Sequence, residues 1–211
     1  MKYFFLLLTT FLFMACSKEE GYGRFNLRDG QMVELFVDHK YGAIGDVPLL
    51  LPHNKAPELP LSSFKGRKPG HNYRIKARVS AYKGPIMMDG GPGHSLIFTG
   101  IISEERYLGD EPFRLSLVRS IVPGPNLVIL RKEGEKFIHW LETGDEIELT
   151  YKDPLIGSKL EEIWQFNKEN FLYNNNHSPL PSKWRSITAT VTHDQENFGK
   201  AYLVADINLV E

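Results

Sequence analysis

The stretch YRIKARVSAY, from Tyr73 to Tyr82, sets Ile75, Ala77, Val79 and Ala81 against Arg74, Lys76, Arg78 and Ser80. Apolar residues at every second position suit an extended chain with one buried face, because strand side chains alternate whereas helical ones recur every three to four residues. MVELFVD repeats the pattern with Val33, Leu35 and Val37, and SLIFTGIIS, Ser95 to Ser103, is the expected partner of the first run. Between that pair lies KGPIMMDGGPGH, rich in the residues of a long hairpin loop. Further runs follow at FRLSLVRSIV, NLVILRK, KFIHWLE, DEIELTYK, WRSITATVTH and AYLVADINLV. Turn signals at Pro123-Gly124-Pro125, Glu133-Gly134 and Thr143-Gly144 separate several of them. Many short strands predict a mainly β fold, sandwich or barrel-like.

Two segments depart from that pattern. From Gly42 to Gly70 the prolines Pro48, Pro52, Pro57, Pro60 and Pro69 exclude a long helix or a central strand. A long ordered loop is expected there, with Leu49, Leu50 and Leu51 folding back on the core. One α-helix is expected near residues 159–175. Ser158 and Glu161 fit a capping box, Leu160, Ile163, Trp164 and Phe171 share a face, and Asn174 to Asn176 could end it.

The amino terminus carries an address. Lys2 precedes an apolar run from Phe4 to Phe13, broken only by Thr9 and Thr10, and Ala15-Cys16 follows. A run of about ten to thirteen apolar residues is too short to span a bilayer as a helix but matches a secretory signal core. Phe13-Met14-Ala15-Cys16 resembles the lipobox of bacterial lipoproteins in its relaxed Bacteroidota form. The resemblance implies cleavage before Cys16, the only cysteine among 211 residues, and acylation at that residue. Two acyl chains suffice for stable anchoring at about 0.8 kcal/mol per buried methylene. Ser17-Lys18-Glu19-Glu20 resembles the lysine-plus-acidic signal for surface export in that phylum, while an ordinary solvated tether is the plain alternative. The expected organisation is a signal peptide at 1–15, a lipidated tether at 16–30, a first β unit at 31–103 and a second at 104–211, the two units forming one domain or two.

YRIKARVS followed by SLIFTGIIS is echoed by WRSITATVT followed by YLVADINLV. Chance similarity between hairpins is the simpler account of so short an echo; if real, it implies two related units meeting near Glu104 to Glu111. Residues 32–103 also resemble a family of uncharacterised small β domains found in bacterial lipoproteins alongside the META domain of HslJ-like heat-shock proteins. Phe64, Pro69-Gly70, Tyr73, Ile75, Val79, Asp89, Leu96 and Ile101 carry that resemblance, and the family's early cysteine pair is missing. The resemblance implies an envelope role and no particular reaction.

Little in the chain resembles a catalytic signature. Asp89-Gly90-Gly91-Pro92-Gly93-His94 has no lysine and leads into a strand, so it is not a phosphate loop. Gly93-His94-Ser95 does not continue as a nucleophile elbow. Asp38-His39 and His193-Asp194 are adjacent pairs whose strand side chains would point to opposite faces, and no metal or other cofactor is expected. Glu104-Glu105 and Glu161-Glu162 read as solvation and capping. Arg74, Lys76 and Arg78 align on one sheet face and could meet an anionic glycan or lipid head group, or be neutralised by Glu34, Asp38, Glu146 or Glu148. Met88, Asp89 and His94, with Met87, are the loop's candidate ligand contacts. The balance of 25 basic and 26 acidic residues, without a basic arm, disfavours nucleic acid.

The expectation is an outer-membrane lipoprotein facing the cell exterior, or alternatively the periplasm, whose non-catalytic β body binds a glycan or envelope protein. A glycan-directed hydrolase and a structural subunit of an envelope complex or fibre are the alternatives.

Overall fold

In the computed structural model, which describes residues 21–62, 64–82, 93–120, 126–141, 144–168 and 182–211, the alternating runs become paired strands. β1 (Met32–Val37), β2 (Leu49–Leu50), β3 (Leu61–Ser62), β4 (His71–Ala81) and β5 (His94–Arg106) form a five-stranded sheet in the order β2-β1-β4-β5-β3. Tyr73, Ile75, Ala77 and Val79 are buried in its core while Arg74, Lys76 and Arg78 are exposed. Leu50 pairs with Leu35 and is buried, so the proline-rich loop does return to the core. On β5 the alternation breaks. Register shifts opposite Arg74/Ile75 and Lys76/Ala77 insert extra residues into the strand, and Ile101 and Ile102 are consequently turned outward.

The second sheet has six strands. It uses β6 (Phe113–Ser116), β9 (Leu130–Glu133), β10 (Lys136–Trp140), β11 (Glu146–Tyr151), β12 (Ser186–His193) and β13 (Ala201–Val210), ordered β6-β12-β13-β11-β10-β9. Between β6 and β9, β7 (Val118–Arg119) and β8 (Leu127–Val128) pair as a small ribbon. The fold is mainly β, with a single helix, α1 (Pro154–Asn167), among the described residues. Its Ile156, Leu160 and Ile163 enter the second core, and Gly157 lies so close to Tyr151 that a Cβ would meet the ring at 2.4 Å.

The helix begins earlier than the capping box at Ser158 predicts. Asp153 is the N-cap, accepting from the Leu155 amide at 2.8 Å, and Pro154 opens the first turn with a φ already suited to it. Ser158 instead donates to the Pro154 carbonyl inside the helix, and Glu161 pairs with Lys132 at 2.8 Å. The expected end at Asn174 to Asn176, with Phe171, lies outside the described residues.

The two sheets share a layout. In the first, β4 lies antiparallel between β1 and β5, and β5 runs parallel to β3. In the second, β12 lies antiparallel between β6 and β13, and β13 runs parallel to β11. The four strands also follow one another in the same chain order. Ile75, Ala77 and Val79 correspond to Ile187, Ala189 and Val191, all six fully buried.

Each sheet has its own apolar core, and the chain stitches the two together. Leu27 is buried in the first core and Phe25 packs on it, so residues 21–30, the end of the expected tether, belong to the body. Tyr41, just past β1, is buried in the second core, and its carbonyl accepts from the Tyr202 hydroxyl at 2.8 Å. Gly42 follows with φ +80°, and a Cβ there would meet Leu141 at 2.3 Å, so this crossing needs a glycine.

Candidate functional site

Where the two sheets meet, one side of the boundary is open. The loops at residues 41–48 and 57–67 face β6, β7 and β10 across a cleft of about 1100 Å³. That is slightly above the usual range for small-molecule sites, about 300–1,000 Å³. Val37, Leu59, Phe64, Pro48, Pro57 and Pro60 give it apolar walls. Ile44, Val47 and Trp140 are about half exposed, at 50%, 50% and 43%. The Trp140 indole is held by its Nε1, which donates to Glu146 at 2.8 Å.

The two arginines of this cleft differ in their contacts, although each leaves a buried Nε without a hydrogen-bond partner. Arg67 forms a fork on Asp46 at 2.7 and 2.8 Å, donates to the Asp38 carbonyl at 2.6 Å and lies 4.6 Å over the Tyr41 ring. Tyr41 in turn donates its hydroxyl to Asp145. By contrast, Arg119 on β7 has Nε and one terminal nitrogen buried without a hydrogen-bond partner. His139 on β10 is 2% exposed, and its Nδ1 likewise meets no partner. A backbone hydrogen bond to Ile129 engages the ring. Burial lowers its pKa to about 4, with the Arg119 charge adding to the shift and the Ile129 bond opposing it. The imidazole is therefore neutral at pH 7, near the Arg119 charge.

The other side of the boundary is closed. His39, just past β1, and His193, the last residue of β12, meet at 2.8 Å between Nδ1 and Nε2. The His39 ring stacks on Tyr107 at 3.5 Å, and Phe113, Tyr202 and Phe198 surround His193. Asp38 stands 3.3 Å from His39 Nε2 and favours a proton there, leaving Nδ1 to accept from His193. Burial lowers both pKa values, that of His193 to about 4, where the neighbouring His39 adds to the shift.

The expectation of opposite faces fails for Asp38-His39, whose carboxylate and ring meet. Asp38, His39 and Asp194 lie beyond the strand ends, where the alternation no longer applies. Asp194 caps the turn into β13, accepting from Thr150, from the Asn197 side chain and from the Glu196 amide. Among the described residues no group of three His, Cys, Asp or Glu could hold a metal.

The residues singled out from sequence lie elsewhere. Arg74 pairs with Glu34 at 2.7 Å on the outer face of the first sheet, beside a smaller hollow of about 430 Å³. Lys76 and Arg78 share its exposed face. Glu146 and Glu148, proposed as neutralising partners for that row, pair instead with Arg131 and Lys136 on the second sheet. His94 stacks on Tyr22 at 4.7 Å. Cys16, Met87, Met88 and Asp89 lie outside the described residues. Arg119 and His139 were missed because each sits inside a run read as a strand. The one signal was His139 at an inward position between Phe137 and Leu141, where periodicity calls for an apolar residue.

Set against models of protein families, curated proteins and solved structures, the chain matches none of them.

Proposed function

We propose that this chain is a lipid-anchored protein of the bacterial outer membrane, facing the cell exterior, whose β body holds a ligand in the cleft between its two sheets without transforming it. The observation that carries the binding reading is the cleft itself, about 1100 Å³ with apolar walls and with Ile44, Val47 and Trp140 left about half exposed along it. A molecule covering those apolar side chains would remove their surface from water, at about 25 cal/mol per Å² buried. The lipid anchor rests on Phe13-Met14-Ala15-Cys16 and the surface address on Ser17-Lys18-Glu19-Glu20.

A glycan hydrolase needs two carboxylates available across the substrate. Among the described residues the carboxylates lining the cleft are Asp46, forked on Arg67, and Asp145, accepting from Tyr41. Their engagement supports binding without catalysis.

Two experiments test the reading. Mild detergent extraction of the full chain, followed by mass spectrometry, should recover a bound molecule that is lost from Val47→Trp, which fills the cleft mouth. Equal recovery from both proteins would remove the cleft from the account. Cys16→Ala should release the chain from the membrane fraction and abolish labelling by a lipid precursor; retention with unchanged labelling would refute the anchor.

A further inference from the structure

We infer that the outer face of the first sheet lies on the anionic lipid head groups of the membrane that anchors the chain; this rests on Cys16 being acylated. The inference starts from the charges left over on that face. Arg74, Lys76 and Arg78 are all exposed on one side of β4, and Arg74 is neutralised by Glu34 at 2.7 Å. Among the described residues Lys76 and Arg78 have no ion-pair partner. The second sheet differs, since its Arg131 and Lys136 are held by Glu146 and Glu148. Other exposed cations, Lys65 and Lys152 among them, also stand alone among the described residues, so an unpaired charge by itself points nowhere. What sets Lys76 and Arg78 apart is a shared face at the end of the sheet where the chain comes from its anchor.

That end is fixed by the first residues of the body. Tyr22 stacks at 4.7 Å on His94, the partner of Ala81 in β4, and the Gly30 amide donates to the Val79 carbonyl at 2.9 Å. Only Ser17 to Glu20 separate Cys16 from Gly21, and a chain that short spans at most about 18 Å. An acylated Cys16 therefore keeps this end of the first sheet close to the bilayer surface. Anionic lipid attracts Lys and Arg within a Debye length, about 8 Å at physiological salt. The acidic groups do not cancel that attraction. Asp29, at the near end, accepts from the Ala81 amide at 3.0 Å and follows Arg28 in the chain, while Glu105 stands opposite Asn72 at the far end of the strand pair. Met32, opposite Arg78 on β1, is 52% exposed, and Tyr22 and Tyr82 are 38% and 46% exposed. Tyrosines and long side chains that join an apolar body to a polar tip suit the head-group layer.

The test uses the full acylated chain in vesicles of phosphatidylcholine, with and without phosphatidylglycerol. A fluorophore on Ser80→Cys, on the same strand as Arg78, is quenched by a lipid spin-labelled at its head group; with Cys16 acylated, the introduced thiol is the only one to label. Quenching about twofold stronger or more in the anionic vesicles is expected. Lys76→Glu combined with Arg78→Glu should abolish that difference, and the pair of Gln variants, which removes the charge without reversing it, should fall between. A fluorophore on Ser158→Cys, exposed on α1, should show no difference. Equal quenching at Ser80 in both vesicles, a difference that survives the charge reversal, or the same difference at Ser158 would overturn the inference. A response at Ser80 to soluble polygalacturonate as strong as that to anionic vesicles would also overturn it, assigning the face to a glycan. Flotation separates the underlying reading: a parent chain that does not float with phosphatidylcholine alone has no lipid anchor, whatever its outer face does.

Discussion

The boundary between the two sheets has a closed side and an open side, and both are built around buried histidines. On the closed side His39 and His193 bond each other inside a shell of Tyr107, Phe113, Phe198 and Tyr202. On the open side His139 and Arg119 face a cleft with buried nitrogens unpaired. The difference is one of packing rather than of residue type, since His193 Nδ1 is also buried without a hydrogen-bond partner. Where aromatic rings pack around the histidines the boundary is filled; where the loops at residues 41–48 and 57–67 stand off from β6, β7 and β10, a cleft stays open.

The largest expected effect is on the closed side. Phe113→Ala removes a ring that packs on His193 and Tyr202, and should cost about 3–5 kcal/mol in urea unfolding. A loss below about 1 kcal/mol would mean this side does not hold the sheets together.

Next come the two arginines of the open side, which should respond with opposite signs. Arg67 and Asp46 are 10% and 9% exposed, so Arg67→Ala leaves a nearly buried carboxylate with the Gly42 amide but without its counter-charge and should cost about 3 kcal/mol or more. Arg119→Met keeps the apolar stem and removes the unpaired donors, and should raise stability by about 1–2 kcal/mol. Destabilisation by both would erase the distinction between paired and unpaired groups.

Acid should weaken both sides. The pKa values of His139 and His193 are lowered to about 4 from 6.5, so between those values the unfolded chain binds protons that the folded one does not. Stability is then full above about pH 6.5 and falls toward pH 4, by about 3 kcal/mol for each histidine. Urea midpoints across that range should show the decline, and His139→Gln and His193→Gln should each flatten part of it. A flat profile in the parent would contradict the buried neutral state of both rings.

The smallest effect belongs to the exposed row. Arg74→Ala breaks only a surface pair with Glu34 and should change stability by less than about 1 kcal/mol. A larger loss would show that the outer face of the first sheet has a role the boundary comparison omits.

Much of the fold was legible in the sequence, because period-two alternation is a local property. Ile75, Ala77 and Val79 were assigned inward from their spacing, and all three are fully buried. The helix was legible in kind but not in its start, since Asp153-Pro154 competed with Ser158 and Glu161 for the cap. The bulges of β5 were not legible. They arise from pairing with β4, and no residue in SLIFTGIIS announces that Ile101 and Ile102 turn outward.

The site was hardly legible at all. Arg74, Lys76 and Arg78 drew notice because cations on an alternating strand make a visible row, yet one of them is already paired. Arg119 and His139 stand twenty residues apart in chain segments that gave no motif.

The sequence by itself determined the mainly β character and the two similar hairpins, because side-chain alternation and turn chemistry act over a few residues. Only the tertiary structure decided that Arg67 would find a carboxylate and Arg119 would not, and that His39 would find a histidine while His139 Nδ1 would not. Charge, donors and acceptors are written in the chain, but satisfying them requires a partner within about 3 Å. That proximity is set by how the two sheets pack.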